Sequence, residues 1–319
     1  MEGEKPGFLG IEIGGTKLQL GLGPGDGRMV ALRRLTVEPV LGAVGIREQI
    51  ARALPALLAD AGIHRSAIAA AGVGFGGPVD ANEGRIERSF QIEGWERFPL
   101  ADWIRGELGI RAVSVHNDAD AAGLAESRFG AGRGLDPLLY ITVGSGIGGA
   151  LILNDRIYRG AGRGAAEIGH LLVPVGDSGQ WDELERIASG WGIARAGQAL
   201  FDAGRFVPEG HDGSRPISGF DVAEASRNGV PEALAILARA QEALGFAIAQ
   251  AVALVAPRRI VIGGGVSMIG AAWFRGVREA VDRLAFPPFL GSFEIVPAAL
   301  GEEVVVQGAL ALARDAALP

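Results

Sequence analysis

Cysteine is absent from the 319-residue chain, which excludes disulfide bridges and thiolate metal sites. No hydrophobic run reaches membrane-spanning length without charges or clustered glycines, and Met1–Gly7 is polar, so we expect neither a membrane anchor nor a secretory signal. A basic surplus is also missing, because 30 basic and 37 acidic residues leave a net charge of −7. Nucleic acids and acidic membranes are therefore not expected partners. Together these absences predict a cytoplasmic globular protein.

Glycine, by contrast, is abundant, and its 51 residues fall in clusters within apolar patterns. Such clusters favour tight turns around a ligand over disorder. In Phe8–Gly23, apolar residues alternate on both sides of Gly14-Gly15, which predicts a β-hairpin. Leu138–Leu153 has the same layout of strand, glycine turn with a hydroxyl residue, and strand. This weak internal repeat predicts two related lobes facing one cleft.

Strands alternate with helices along the rest of the chain, which predicts α/β layers. Apolar spacing predicts a helix around Ile46–Asp60 that is kinked or split at Pro55. A long helix is expected to open at Pro231 and to run to about Val255. We expect the boundary between the lobes to fall between residues 109 and 117.

The two glycine turns are candidate phosphate sites, because a phosphate needs several converging backbone N–H donors. The candidate phosphate-binding residues are Gly14, Gly15, Thr16 and Lys17 in the first turn and Thr142, Gly144, Ser145 and Gly146 in the second. The alternative is that the glycines only permit turns with positive φ, and for either turn alone that alternative is slightly favoured. Two similar turns favour phosphate binding. Both are followed by strands, which argues against a P-loop or a dinucleotide-binding turn.

Five segments, taken in order, carry a resemblance to a known family. They read LGIEIGGTKLQLGL, GVGFGGPVD, VHNDADAAGLAE, ITVGSGIGGALILNDRIYRGAGRGAAEIGHLLV and IVIGGGVS. From about Phe8 to Leu312 the chain resembles the ROK group of sugar kinases and sugar-responsive repressors, within the actin-like ATPase superfamily. The resemblance implies an α/β actin-like ATPase (ribonuclease H-like) fold with two lobes around a central cleft. The expected lobes are residues 1–116, with a C-terminal helix at about 302–319 packing back on them, and residues 117–301.

The resemblance implies that Asp118 is the catalytic base. The residues agree, because Asn117-Asp118 follows a predicted strand and precedes a predicted helix, at a sheet edge where ligands collect. Phosphoryl transfer to a hydroxyl needs a carboxylate that orients it and accepts its proton. The alternative is a helix cap for residues 119–129, and the residues alone leave these two interpretations even. The resemblance favours catalysis.

The resemblance also implies residues that contact sugar and nucleotide. The expected sugar contacts are Gly77, Asn117, Asp118, Glu167, His170 and Glu185, and the turn near the adenine or ribose contains Gly264 and Gly265. Carboxylates suit a sugar because they accept hydrogen bonds from neighbouring hydroxyls. His170 could instead be an ordinary histidine and Glu185 a solvated helix residue. Trp95 is expected to pack rather than to stack on a sugar.

Three departures from the family pattern affect the expected cofactors and substrate. Many members carry a zinc site of one histidine and three cysteines after the EIGH segment. This chain has no cysteine, so no zinc is expected. His170 must then be oriented by another group, such as Asp177, Asp182 or Glu183. Glu12 replaces a common aspartate, and we expect it to act near Mg²⁺ through water. Gln91 stands where hexose kinases of the family often have asparagine, which leaves the substrate open.

The expected activity is ATP- and Mg²⁺-dependent phosphorylation of a hexose hydroxyl, with glucose to glucose 6-phosphate as the first choice. Fructose, mannose, allose or an N-acetylhexosamine such as N-acetylglucosamine or N-acetylmannosamine are the alternatives. A sugar-binding regulator without turnover and a carboxylate kinase of the same superfamily are rival hypotheses. A DNA-binding domain is not expected, because the first hairpin begins by Phe8. Sugar and ATP are the expected partners, and a homodimer is favoured because members of the family it resembles are often dimers.

Overall fold

The computed structural model describes residues 7–162, 164–176 and 179–318. The strands are β1 (Gly7–Ile13), β2 (Lys17–Gly23), β3 (Ala31–Thr36), β4 (Ile68–Phe75), β5 (Val79–Asp80), β6 (Arg85–Ile86), β7 (Ala112–Asn117), β8 (Leu138–Val143), β9 (Ile147–Leu153), β10 (Arg156–Ile157), β11 (Leu172–Pro174), β12 (Trp181–Glu183), β13 (Arg259–Gly263) and β14 (Glu294–Pro297). The α-helices are α1 (Gly42–Ala61), α2 (Leu100–Trp103), α3 (Asp118–Phe129), α4 (Leu184–Ala188), α5 (Gly190–Asp202), α6 (Gly219–Arg227), α7 (Pro231–Val255), α8 (Ala271–Leu284) and α9 (Val304–Ala317). Helix α2 continues directly into a π-helical segment, Ile104–Leu108.

The chain divides into two compact units, the first of which comprises Met1–Gly134, Ala150–Ala165 and Ala299–Pro319. Its sheet has the strand order β3-β2-β1-β4-β7. The β3-β2-β1 part is antiparallel, whereas β4 and β7 run parallel to β1. Parallel neighbours place the carboxyl ends of β1, β4 and β7 at one edge of the sheet, which is where ligands collect in such folds.

Helices pack on this sheet through apolar side chains and close backbone approaches. Helix α1 buries Ile46, Ile50, Leu54 and Leu57, and it runs unbroken through Pro55, so of the two predicted alternatives the helix is not split. Continuous burial of one apolar face offsets the hydrogen bond that a proline removes. Helix α9 lies so close to β4 that a Cβ atom at Gly72 would stand 1.9 Å from the carbonyl oxygen of Ala309.

The second unit comprises Leu135–Gly149 and Ala166–Ala298. A second five-stranded sheet has the order β10-β9-β8-β13-β14; its strands β8, β13 and β14 lie in this unit, and β13 runs parallel to both β8 and β14. Strands β10 and β9 are antiparallel, whereas β8, β13 and β14 are parallel. This arrangement reproduces the plan of the first sheet, so the predicted internal repeat is present. Helix α7 spans Pro231–Val255 as predicted, and it contributes Leu244 and Ile248 to a core that also contains Trp273.

The first unit extends beyond the lobe predicted for residues 1–116, because α3 belongs to it. Strand β7 runs directly into α3, and α3 meets α9 so closely that a Cβ atom at Gly308 would lie 1.9 Å from the carbonyl oxygen of Ala121. The predicted boundary at residues 109–117 therefore falls within this compact unit. Within the described ranges, the helices are too short or too polar to cross a membrane.

Candidate active site

The turn between β1 and β2 is closed by a hydrogen bond from the N–H of Gly14 to the carbonyl oxygen of Lys17, at 2.9 Å. Gly15 lies against Gln91, whose Oε1 would be only 1.5 Å from a Cβ atom at position 15. Thr16 is exposed. A turn with two adjacent glycines therefore brings Gly14, Gly15, Thr16 and Lys17 together as predicted, with Gln91 beside them.

Glu12 lies near the end of β1 and is only 7 % exposed. Its Oε1 is 3.1 Å from Nζ of Lys17, and its Oε2 accepts a hydrogen bond of 2.8 Å from Nε2 of Gln19. Burial raises the pKa of Glu12 to about 7, the charge of Lys17 opposes the rise, and the charge of Asp118 adds to it. The first unit thus holds two electrostatically coupled carboxylates next to a glycine turn.

Asp118 is the first residue of α3 and follows Asn117, the last residue of β7. The N–H of Ala119 donates to Oδ1 of Asn117 and to Oδ1 of Asp118, each at 2.8 Å. The Asn117 amide also donates from Nδ2 to the carbonyl oxygen of Gly77, at 3.0 Å, while Oδ2 of Asp118 would lie 3.5 Å from a Cβ atom at Gly76. Asn117 and Asp118 therefore do cap helix α3, and the cap fixes both side chains beside the glycine turn that follows β4.

The second glycine turn joins β8 to β9 and is tied to the start of α5. The carbonyl oxygen of Gly144 accepts a hydrogen bond from the N–H of Gly190 at 2.7 Å, and that of Ser145 accepts one from Trp191 at 3.2 Å. Glu185 reaches the same turn, because its Oε2 accepts from the N–H of Ile147 at 2.7 Å. Glu185 is therefore a brace of the hairpin, a role that the sequence did not reveal.

Gly264 follows β13 and lies next to the end of β8. Its φ is +84°, and a Cβ atom there would stand 2.5 Å from the backbone of Val143, so only glycine fits without displacement. Gly263 is the register partner of Thr142. At Gly265, by contrast, no described atom lies within 4 Å of an added Cβ. The second unit thus places Thr142 and Gly264 at adjacent strand ends, and Gly265 is open to a ligand.

The EIGH segment forms a short 3-10 turn, Ile168–His170. Ala166 precedes it with a φ of +59°, which is rare for a residue other than glycine and often marks functional sites. Glu167 and His170 are exposed. Nδ1 of His170 is 3.9 Å from Oε2 of Glu183, on the small sheet made by β11 and β12.

The residues near His170 bear on the absent zinc site. Asp182 lies 3.7 Å from Arg186 and does not pair with His170, whereas Asp177 lies outside the described residues. Glu183 is the described carboxylate within 4.0 Å of this histidine, and its Oε2 also lies 3.4 Å from Nε of Arg186. Across residues 7–162, 164–176 and 179–318, no cluster of three histidine, aspartate or glutamate side chains has a geometry suited to a metal ion.

Three buried side chains lie outside the predicted set of site residues, namely Trp95, Gln19 and Glu126. Trp95 is fully buried and makes edge-to-face contacts with Phe75 and Phe98, so the packing prediction is confirmed. Gln19 was not among the predicted site residues. It is fully buried, and a glutamine within an otherwise apolar strand could have been recognised from the sequence. Glu126 was also missed. It is fully buried, and its oxygens accept backbone hydrogen bonds from residues 131, 299 and 300.

The sequence matches the model of the ROK family over residues 8–316. The chain belongs to the ROK family. A glucokinase from Halalkalibacterium halodurans is 32% identical over 311 residues, which cover 94% of this chain and 93% of the relative. A glucokinase from Thermotoga maritima is 29% identical over 324 residues, which cover 97% of each. A crystal structure of a ROK family glucokinase from Streptomyces griseus, in complex with glucose and AMPPNP, matches with a TM-score of 0.79 and 32% identity, covering 97% of this chain and 99% of that one.

These comparisons confirm the predicted ROK membership and the actin-like ATPase fold. They also confirm the prediction of an ATP-dependent sugar kinase.

Proposed function

We propose that this ROK protein transfers the terminal phosphoryl group of ATP to the 6-hydroxyl of glucose, with Asp118 as the general base. The position of Asp118 carries the proposal, since it lies at the β7–α3 junction beside the glycine turn after β4 and near Glu12. The relatives named above support glucose, because two are glucokinases and one was crystallised with glucose and AMPPNP.

Asp118 suits the part of a base that orients a hydroxyl. Its Oδ1 is held by the N–H of Ala119, and its Oδ2 faces the turn at Gly76. A fixed carboxylate aligns the sugar hydroxyl with the phosphoryl group and accepts its proton, and most of the catalysis in this reaction is positioning and charge stabilisation. The same junction supplies Asn117, which we propose as a contact to a neighbouring sugar hydroxyl together with the backbone of Gly77.

The glycine turns at Gly14–Lys17 and Thr142–Gly146 are proposed to hold the phosphates of ATP through backbone N–H groups and the hydroxyls of Thr16 and Ser145. Bound Mg²⁺ neutralises phosphate charge in this reaction class. Glu12 has the oxygen donors that suit this ion, but both oxygens already face Lys17 and Gln19. A contact through water therefore fits Glu12 better than direct coordination. Gly264 and Gly265 are proposed to lie at the base or ribose.

On the sugar side we propose Glu167, His170 and Glu185 as hydroxyl contacts, with Glu183 orienting His170 in place of a metal. The separation of 3.9 Å between Nδ1 of His170 and Oε2 of Glu183 is longer than a direct hydrogen bond, so we propose a loose orientation of the ring by this carboxylate. Glu185 uses one oxygen for the hairpin, so we propose that it couples the sugar to the phosphate turn.

The test is a coupled assay of ATP consumption with glucose, fructose, mannose, allose, N-acetylglucosamine, N-acetylmannosamine and a carboxylate acceptor. We expect the highest kcat/KM with glucose, and glucose 6-phosphate dehydrogenase should convert the product. A higher kcat/KM for another sugar would contradict glucose while leaving the kinase assignment intact. Sugar binding without turnover of any acceptor would instead identify a regulator.

A further inference from the structure

A cavity of about 730 Å³ lies within the first compact unit and is lined by none of the residues assigned above to sugar or ATP. Its walls are β7, α3, the β9–β10 turn and the end of α9. Pockets that bind small molecules commonly have volumes of about 300–1,000 Å³. The cavity is therefore large enough for a ligand of the size of a sugar phosphate.

The charged groups of this cavity leave a positive excess. Arg128 pairs with both lining carboxylates, since its guanidinium lies 3.0 Å from Asp155 and 2.9 Å from Asp315. Arg156 and Arg159 also line the cavity, and neither forms an ion pair with a residue of the described ranges. Two arginines thus remain available to an anion, in a protein whose net charge is −7.

His116 adds a buried polar group without a partner. The side chain is only 8 % exposed and lines the cavity, and its Nδ1 has no hydrogen-bond partner among the described residues. Burial and the charge of Arg159 lower the pKa of His116 to about 4, so the ring is neutral at pH 7. Nδ1 itself is enclosed by protein atoms, so the imidazole forms an uncharged wall of the cavity beside the two arginines.

We propose that this cavity binds a small phosphorylated metabolite whose phosphate is held by Arg156 and Arg159. Arginine suits this task because its planar guanidinium donates two parallel hydrogen bonds to a phosphate. The hydroxyl of Ser114, two residues before His116 on β7, lies on the same face of the strand and also lines the cavity. It serves as a further polar contact.

The cavity is built on the elements that position the proposed catalytic base. Ser114 and His116 belong to β7, which ends at Asn117, and Arg128 belongs to α3, which begins at Asp118. A ligand there contacts both sides of the β7–α3 junction. We therefore expect bound ligand to change the rate of phosphoryl transfer, and this makes the cavity an effector site.

Isothermal titration calorimetry tests the binding with inorganic phosphate and fructose 1,6-bisphosphate as probes. The titrations are made into enzyme saturated with glucose and AMPPNP, so that the phosphate turns are occupied. We expect fructose 1,6-bisphosphate to bind, and the double variant Arg156→Gln/Arg159→Gln to weaken its binding at least about tenfold through the loss of two charge-assisted contacts. Arg227→Gln, at an exposed arginine at the end of α6, is the matched control and should bind as the wild type does.

Several outcomes would overturn the proposal. Absence of binding at millimolar concentrations, or equal affinity in the wild type and the Arg156→Gln/Arg159→Gln variant, would remove the site. Equal affinity for inorganic phosphate and the bisphosphate would show that the ligand is the free anion. Binding that leaves both kcat and KM of the wild type unchanged would contradict the effector role. Because binding is measured without turnover, these outcomes are distinct from failure of the proposed kinase reaction.

Discussion

Glu12 and Lys17 face each other across the first glycine turn, with Oε1 of the buried carboxylate 3.1 Å from Nζ of the lysine. The lysine does not fully offset the loss of hydration, because the pKa of Glu12 is still raised from 4.5 to about 7. The Glu12 carboxyl therefore gains and loses a proton near neutral pH, next to the proposed phosphate site.

Glu12 gives stability a pH dependence that Glu12→Gln should remove. A pKa that is higher in the folded state stabilises the fold below pH 4.5, and that contribution is lost as the pH rises to about 7. Between pH 5 and pH 7.5 we expect the wild type to lose more free energy of unfolding than Glu12→Gln, by an amount on the order of 2–3 kcal/mol. Urea denaturation at the two pH values measures this difference. Parallel pH dependences would show that the buried carboxylate is not the cause.

Gly15→Ala should destabilise the protein through Gln91. The added Cβ meets Oε1 of Gln91 at 1.5 Å, and this side chain must move. Because the end of the exposed Gln91 side chain can swing aside, we expect a loss of at most about 1 kcal/mol, together with a raised KM for ATP. Gln91→Ala in the Gly15→Ala background removes the clashing amide and should restore most of the stability, as thermal unfolding of the four proteins in the cycle would show. Strictly additive effects would contradict a direct contact.

Gly264 and Gly265 form a matched pair of adjacent glycines. Gly264→Ala combines a positive φ with a clash against the backbone of Val143, so we expect a loss of more than about 2 kcal/mol. Gly265→Ala has open space for its methyl group and should unfold as the wild type does. If Gly265 lies at the nucleotide, this second variant raises KM for ATP alone. Similar unfolding temperatures for the two variants would contradict the close approach at Gly264.

Glu185→Ala separates a sugar contact from a hairpin brace. Loss of the hydrogen bond to Ile147 frees the second glycine turn, so KM for ATP should rise together with KM for glucose. Each is expected to rise about tenfold, the size of one lost charge-assisted hydrogen bond. Glu167→Ala is the comparison, since Glu167 is exposed and should affect KM for glucose only. A change confined to glucose in both variants would contradict the brace.

Local chemistry made much of the fold predictable. Pro231 suits the first turn of a helix, and the alanine- and leucine-rich sequence that follows favours helix, so α7 has the predicted bounds. The two hairpins were predicted because glycines interrupt alternating apolar strands. Pro55 does not split α1, since burial of one continuous apolar face outweighs the local effect of a proline.

The contacts that assemble the candidate site were less predictable, because they join residues far apart in sequence. Glu185 meets Ile147 across 38 residues, and Glu126 meets Ala299 across 173. Spacing and composition do not encode such pairs. The family resemblance predicts Glu185 as a sugar contact, but its hydrogen bond with the N–H of Ile147 is visible only in the folded chain.

The proposed reaction depends most directly on Asp118, and the decisive measurement is glucose phosphorylation by Asp118→Asn. Asn117 still caps α3 in this variant, so the fold should persist. Asp60→Asn, at an exposed aspartate paired with Arg33, is the matched control. With Asp118 as the base, kcat should fall about 10²–10⁴-fold with little change in KM, while the control keeps wild-type activity. A folded Asp118→Asn enzyme that phosphorylates glucose at the wild-type rate would contradict the mechanism.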